Sequence, residues 1–134
     1  MDFALLIFFV ALAALVAWIL QPRAPRRSLE SAQLALRAGT AVLVDVREPA
    51  EWIKGVADGS ALLPYSDLKG AREKWGPFLE RNRERRLLLY CGSGVRSARA
   101  AQRLQAEGVD AVDVGALRDW RRAGWPVVPP RDLA

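Results

Sequence analysis

The apolar run Leu87-Leu88-Leu89-Tyr90 ends on the only cysteine of the chain, Cys91, and Gly92-Ser93-Gly94-Val95-Arg96-Ser97 follows before an alanine-rich helical pattern opens at Ala98. A short apolar run closed by glycines reads as a strand buried on both faces. Strand, tight loop and helix in that order confine the chain to an alternating α/β arrangement. They also put a sulfur at the foot of a loop whose N–H groups can turn inward. With a helix N-terminus behind it, such a loop is a cradle for an anion, including a negatively charged sulfur.

The rest of the chain fits the same plan. Ser28 can cap a short helix running to Ala38, with Gly39 as its stop. Ala41–Val46 is a buried strand, Pro49 opens a helical turn holding Glu51 and Trp52, and Ala61–Leu63 is a short strand closed by Pro64. A helical stretch from Ser66 breaks near Gly76-Pro77 and ends in the basic run 81–86. Ala98–Glu107 is a helix with Ala98, Ala101 and Leu104 inward; Ala111–Val114 is a last strand, and Leu117–Ala123 a last helix. Short apolar strands alternating with helices predict a parallel sheet covered on both faces, with ligands beyond the carboxyl ends of the strands. Asp45, Pro64 and Cys91 fall at those ends.

Ahead of this domain, residues 3–20 are eighteen apolar residues without charge, Gly or Pro. The run predicts one transmembrane helix, about 27 Å long at 1.5 Å per residue. Asp2 precedes it and Trp18-Ile19-Leu20 makes a poor cleavage site, so a retained anchor is expected rather than a cleaved signal. Arg23, Arg26 and Arg27 follow it. The expected layout is an anchor over 1–21, a basic linker over 22–27, a domain over 28–130 and a tail over 131–134. The arginines predict a single-pass protein of the cell membrane with its domain on the cytoplasmic side and lipid as a partner.

The net charge is +5 with no histidine. No zinc, helix-turn-helix or RNA-binding pattern accompanies it, so nucleic acid is not an expected partner. A single cysteine excludes a disulfide framework and suits a reducing compartment. No residue cluster asks for a metal, and no cofactor is expected.

Leu43-Val44-Asp45-Val46-Arg47-Glu48 with Glu51-Trp52, the loop from Cys91 to Ser97, and Gly115-Ala116-Leu117 with Trp120, Gly124 and Pro126 together resemble a single-domain rhodanese over about residues 28–128. The resemblance implies sulfurtransferase chemistry through a cysteine persulfide. A small anionic, thiosulfate-like compound would be the donor, and a thiol, cyanide or a sulfur-carrier protein the acceptor. Cysteine phosphatases place five residues between Cys and Arg; four separate Cys91 from Arg96, and the residue six beyond Cys91 is Ser97. The tighter ring suits one sulfur better than a phosphoryl group.

In this reading Cys91 is the nucleophile. Gly92, Ser93, Gly94, Val95, Arg96 and Ser97 bind the substrate, through N–H groups, two hydroxyls and the charge of Arg96. Asp45 and Arg47 brace the site from behind as an ion pair or through loop hydrogen bonds. Trp52, Trp75, Trp120 and Trp125 are packing residues. Val56-Ala57-Asp58-Gly59-Ser60-Ala61 stands where many rhodaneses carry a His-Ile-Pro-Gly-Ala type segment, and Ala116 where a second glycine is usual. Cys91-Gly-Ser-Gly-Val resembles mercaptopyruvate-using members and Arg96-Ser97 thiosulfate-using ones, so the donor stays open. The alternative is a non-catalytic rhodanese module, membrane-attached, that binds a partner or senses anions or redox state.

Overall fold

A computed structural model describes residues 2–20 and 26–131. The elements in chain order are α1 (Phe3–Ile19), α2 (Arg26–Ala38), β1 (Ala41–Asp45), α3 (Pro49–Trp52), β2 (Val56–Ala57), β3 (Ala61–Leu62), α4 (Tyr65–Lys69), α5 (Trp75–Arg81), β4 (Arg86–Cys91), α6 (Val95–Ala106), β5 (Ala111–Ala116), α7 (Leu117–Arg122) and β6 (Val127–Val128). Four strands form a parallel sheet in the order β3-β1-β4-β5, and β2 pairs with β6 antiparallel.

Strand periodicity sorts the core into two layers. From β4, Leu87, Leu89 and Cys91 join Val44, Leu68, Trp75, Phe78, Ala100, Ala101 and Leu104, the layer covered by α4, α5 and α6. Leu88 and Tyr90 point the other way, with Leu29, Ala32, Leu43, Ala57, Val114 and Trp120, the layer of α2, α7 and β2. The expected parallel sheet with helices on both faces is what the chain forms. Burying a side chain of this size is worth about 1.5–3 kcal/mol, which explains why four apolar residues in a row serve as a central strand.

Other expectations need correction. Helix α1 has 17 residues and buries none of them. At 1.5 Å per residue it is about 26 Å long. Leu20 already turns out of the helix, and among the described residues no helix is long and apolar enough to cross a membrane. The expected transmembrane helix, the single-pass placement in a cell membrane with a cytoplasmic domain, and the lipid partner lose their basis. Arg23 lies outside the described residues, while Arg26 and Arg27 belong to α2 rather than to a linker. That helix therefore starts before Ser28, which is not its cap.

The helical stretch after Pro64 breaks over Gly70–Lys74, not at Gly76-Pro77. Pro77 sits in the first turn of α5, where its missing N–H had no partner to lose. The carboxylate of Asp67 supplies the start instead, accepting from the N–H groups of Glu73, Lys74 and Trp75 at 3.0 Å each. In α6 it is Ser97, Ala100, Ala101 and Leu104 that are buried, and Ala98 only half-buried.

Candidate active site

Cys91 is the last residue of β4 and wholly buried. The Gly94 N–H donates to its Sγ at 3.0 Å and the Ser97 hydroxyl at 3.4 Å. Both donors follow from local sequence. Gly94 adopts φ +90°, a left-handed angle that glycine reaches without a Cβ clash, and this turn brings its N–H back over the strand end. Ser97 lies in the first turn of α6 and faces inward, fully buried. The N–H groups of that first turn have no intrahelical carbonyl to meet, so the helix directs positive potential at the loop.

The neighbouring strand is shaped around the loop. Leu89 pairs with Asp113 but Cys91 pairs with Ala116, so β5 carries an extra residue there, a bulge beside the site. A Cβ on Gly94 would come within 3.6 Å of the Gly115 Cα. Ala116, at the usual position of a second glycine, is buried and fits.

Arg96 has a partner that the sequence reading did not assign. Its Nη1 and Nη2 donate to the Glu51 carboxylate at 2.6 and 2.8 Å, a two-point fork. Glu51 Oε2 also accepts the Glu48 N–H at 2.9 Å, and the Glu51 carbonyl accepts Arg47 Nη1 at 3.3 Å. The Arg96 hydrogen bonds, set against the cost of burial, hold the Glu51 carboxyl down at about 2. The same bonds to Glu51 raise the Arg96 guanidinium above its ordinary value. A Cβ built on Gly92 would lie 3.5 Å from Arg96 Nη2 and 3.9 Å from Glu51 Oε1, so the fork lies over the residue next to the thiol. The signal was present: a carboxylate third in a helix opened by Pro49, with Glu48 at its cap.

On the other face, Asp45 is fully buried and takes Arg47 Nε at 3.1 Å, Arg47 Nη2 at 2.8 Å and the Tyr90 hydroxyl at 2.6 Å. Arg47 Nη2 also donates to the Gly55 carbonyl, and Tyr90 Oη accepts the Ala57 N–H at 2.9 Å. Burial, reinforced by the Asp45 carboxylate, pushes the Tyr90 phenol well above its ordinary value. Arg47 thus touches Glu51 and Gly55, while Asp45 bonds Tyr90, the residue before Cys91. Gly92 and Ser93 are exposed, as is Val95. Trp52, Trp75 and Trp120 are core residues, and Trp125 packs edge-on against Trp120.

The comparison with known families decides the identity of this arrangement. The Rhodanese-like domain family matches residues 28–123. The chain belongs to the rhodanese-like family. A rhodanese-related protein of Thermoplasma volcanium superposes with a TM-score of 0.61 at 35% identity, covering 74% of this chain and 94% of its own. The human single-domain sulfurtransferase TSTD1 superposes with a TM-score of 0.59 at 27% identity, covering 70% and 92%. A sulfurtransferase of Allochromatium vinosum is 34% identical over 91 residues, 66% of this chain and 79% of that protein. The chain spans 49% and 65% of the length of two other curated relatives, from Synechocystis and Bacillus subtilis.

Proposed function

We propose that this rhodanese-like domain is a sulfurtransferase that carries sulfur as a persulfide on Cys91. The observation that carries this reading is the Cys91 Sγ within reach of the Gly94 N–H and the Ser97 hydroxyl, at the mouth of the α6 N-terminus. The Cys91 thiolate attacks the outer sulfur of an anionic sulfane donor. With thiosulfate, the Cys91–S bond forms, the donor S–S bond breaks, and sulfite leaves with the electron pair; Cys91–S–S⁻ keeps one negative charge. The loop N–H groups and hydroxyls stabilise that charge as an oxyanion hole does. A thiol, cyanide or a sulfur-carrier protein then attacks the outer sulfur and restores the thiolate.

The test is the intact mass of the full chain after incubation with thiosulfate, methanethiosulfonate or mercaptopyruvate. A gain of one sulfur atom is expected, lost again with cyanide and absent in Cys91→Ser. A mass unchanged by every donor overturns the reading. One observation favours the second reading, a non-catalytic module that binds a partner or senses anions or redox state: Cys91 is wholly buried. That reading predicts the unchanged mass.

A further inference from the structure

Resting on the sulfurtransferase reading, we infer that Glu51 is a positioning residue that selects donors by charge: it neutralises Arg96, so the site takes singly charged sulfane donors, such as organic thiosulfonates and persulfides, in preference to doubly charged thiosulfate.

The geometry makes Arg96 a different group from the free cation its place in the loop suggests. Each terminal nitrogen gives one of its two hydrogens to one carboxylate, at 2.6 and 2.8 Å. What faces the loop is a neutral pair with Nε–H and two outer N–H bonds left to donate. It can still orient a donor oxygen, but it adds no net positive charge to draw in a second negative one. The pair is built in rather than incidental. The carboxylate is held from behind by the Glu48 N–H, and the residue's carbonyl by Arg47, itself anchored on buried Asp45. Glu51 stays ionised throughout the pH range of the chemistry, because the Arg96 hydrogen bonds keep its carboxyl near 2. Only two-thirds of Arg96 and about three-fifths of Glu51 are shielded, with side-chain exposures of 32% and 39%, so the pair lies where a donor can meet it.

Thiosulfate and methanethiosulfonate test this directly. Each carries its transferable sulfur on an oxidised sulfur, and they differ by one charge. With methanethiosulfonate, attack by the Cys91 thiolate forms the same persulfide and releases methanesulfinate with the electron pair, so charge balances as it does with sulfite. Sulfur transfer to cyanide is measured for both donors, each rate normalised to that donor's uncatalysed reaction. Wild type should show the higher normalised kcat/KM with methanethiosulfonate. In Glu51→Gln the thiosulfate-to-methanethiosulfonate ratio should rise about fivefold, the size of one exposed charge contact, mainly through KM. Glu51→Ala should do the same, and Glu51→Asp, which keeps the charge, should hold the wild-type ratio.

A wild type that prefers thiosulfate overturns the inference, and this needs no variant to fold. So does a ratio unchanged in folded Gln and Ala variants, or a loss of kcat alone, which would mark Glu51 as a brace for the loop. In those cases persulfide still forms and the sulfurtransferase reading stands. A wild type inert to both donors removes both.

Discussion

Arg47 grips Asp45 where the side chains are 8% and 0% exposed, and Arg96 grips Glu51 where they are 32% and 39% exposed. The bonding is alike: a planar guanidinium meets a carboxylate at two points. Burial makes the functions differ. The inner pair has lost its water and can be held only if every remaining lone pair is met, which Tyr90 and the Arg47 N–H do for Asp45. It ties β1 to the segment around Gly55. The outer pair keeps part of its hydration, so it contributes little to folding and instead sets the charge seen by a molecule at the loop. One guanidinium chemistry thus serves as a brace on one face of the sheet and as a rim on the other.

The strongest way to break this contrast is Arg47→Ala. It leaves a fully buried carboxylate unpaired, a loss of about 3–5 kcal/mol. For a domain near a hundred residues each kcal/mol moves the melting midpoint by about 4–8 °C, so calorimetry should show a fall of roughly 12 °C or more. A loss no larger than that of Glu51→Gln would erase the distinction between the pairs. Tyr90→Phe comes next. It removes one donor to Asp45 and leaves the buried Ala57 N–H without its acceptor, a cost of about 1–3 kcal/mol, readable in urea unfolding, with donor preference unmoved. A change in donor preference would mean that the two forks are coupled through Arg47 and Glu51.

Gly94→Ala sharpens the role of the loop itself. A side chain at φ +90° costs about 1–2 kcal/mol, while its Cβ would meet Gly115 only at ordinary contact distance. Persulfide formation should fall more than stability, because the displaced N–H is the one at 3.0 Å from the thiol. Equal retention of both would show that the loop tolerates another path. The smallest effect belongs to Glu51→Gln, below about 1 kcal/mol for an exposed pair. Its sign with pH is set by a carboxyl lowered from the ordinary 4.5 to about 2. The folded state gains from this ion pair above about pH 4.5 and loses that gain as pH falls towards 2. Melting curves of wild type and Glu51→Gln should therefore differ by a constant amount above pH 5, and the difference should shrink as pH falls through 2. A difference undiminished at pH 2 would assign it to packing.

Local order made the centre of this protein legible. Leu87 to Ser97 announced a strand, a loop and a helix because each neighbour acts on the next through the backbone, and Gly94 and Ser97 meet the thiol from three and six residues away. The four-stranded sheet was legible for a related reason: β1 and β4 are nearly unbroken apolar runs, and β3 and β5 are short runs set between turn residues. The β2–β6 pair was not. Val56 pairs with Val128 across most of the domain, and two-residue strands carry no periodicity to read. The apolar run 3–20 was legible as a helix, but its end at Ile19 leaves it too short to cross a membrane, a matter of one residue of backbone conformation.

By itself the sequence determined which residues lie in the loop, that the thiol ends a buried strand, and which two faces the sheet must cover, since these depend on steric and hydrophobic periods written in adjacent positions. Tertiary structure alone decided that Arg96 faces Glu51, 45 residues away, that Asp45 closes on Tyr90 at the same separation, and hence which arginine is a brace and which a rim. An ion pair is chosen by distance and burial in space, and a chain carrying 20 basic and 15 acidic side chains offers far too many pairings for sequence to choose among.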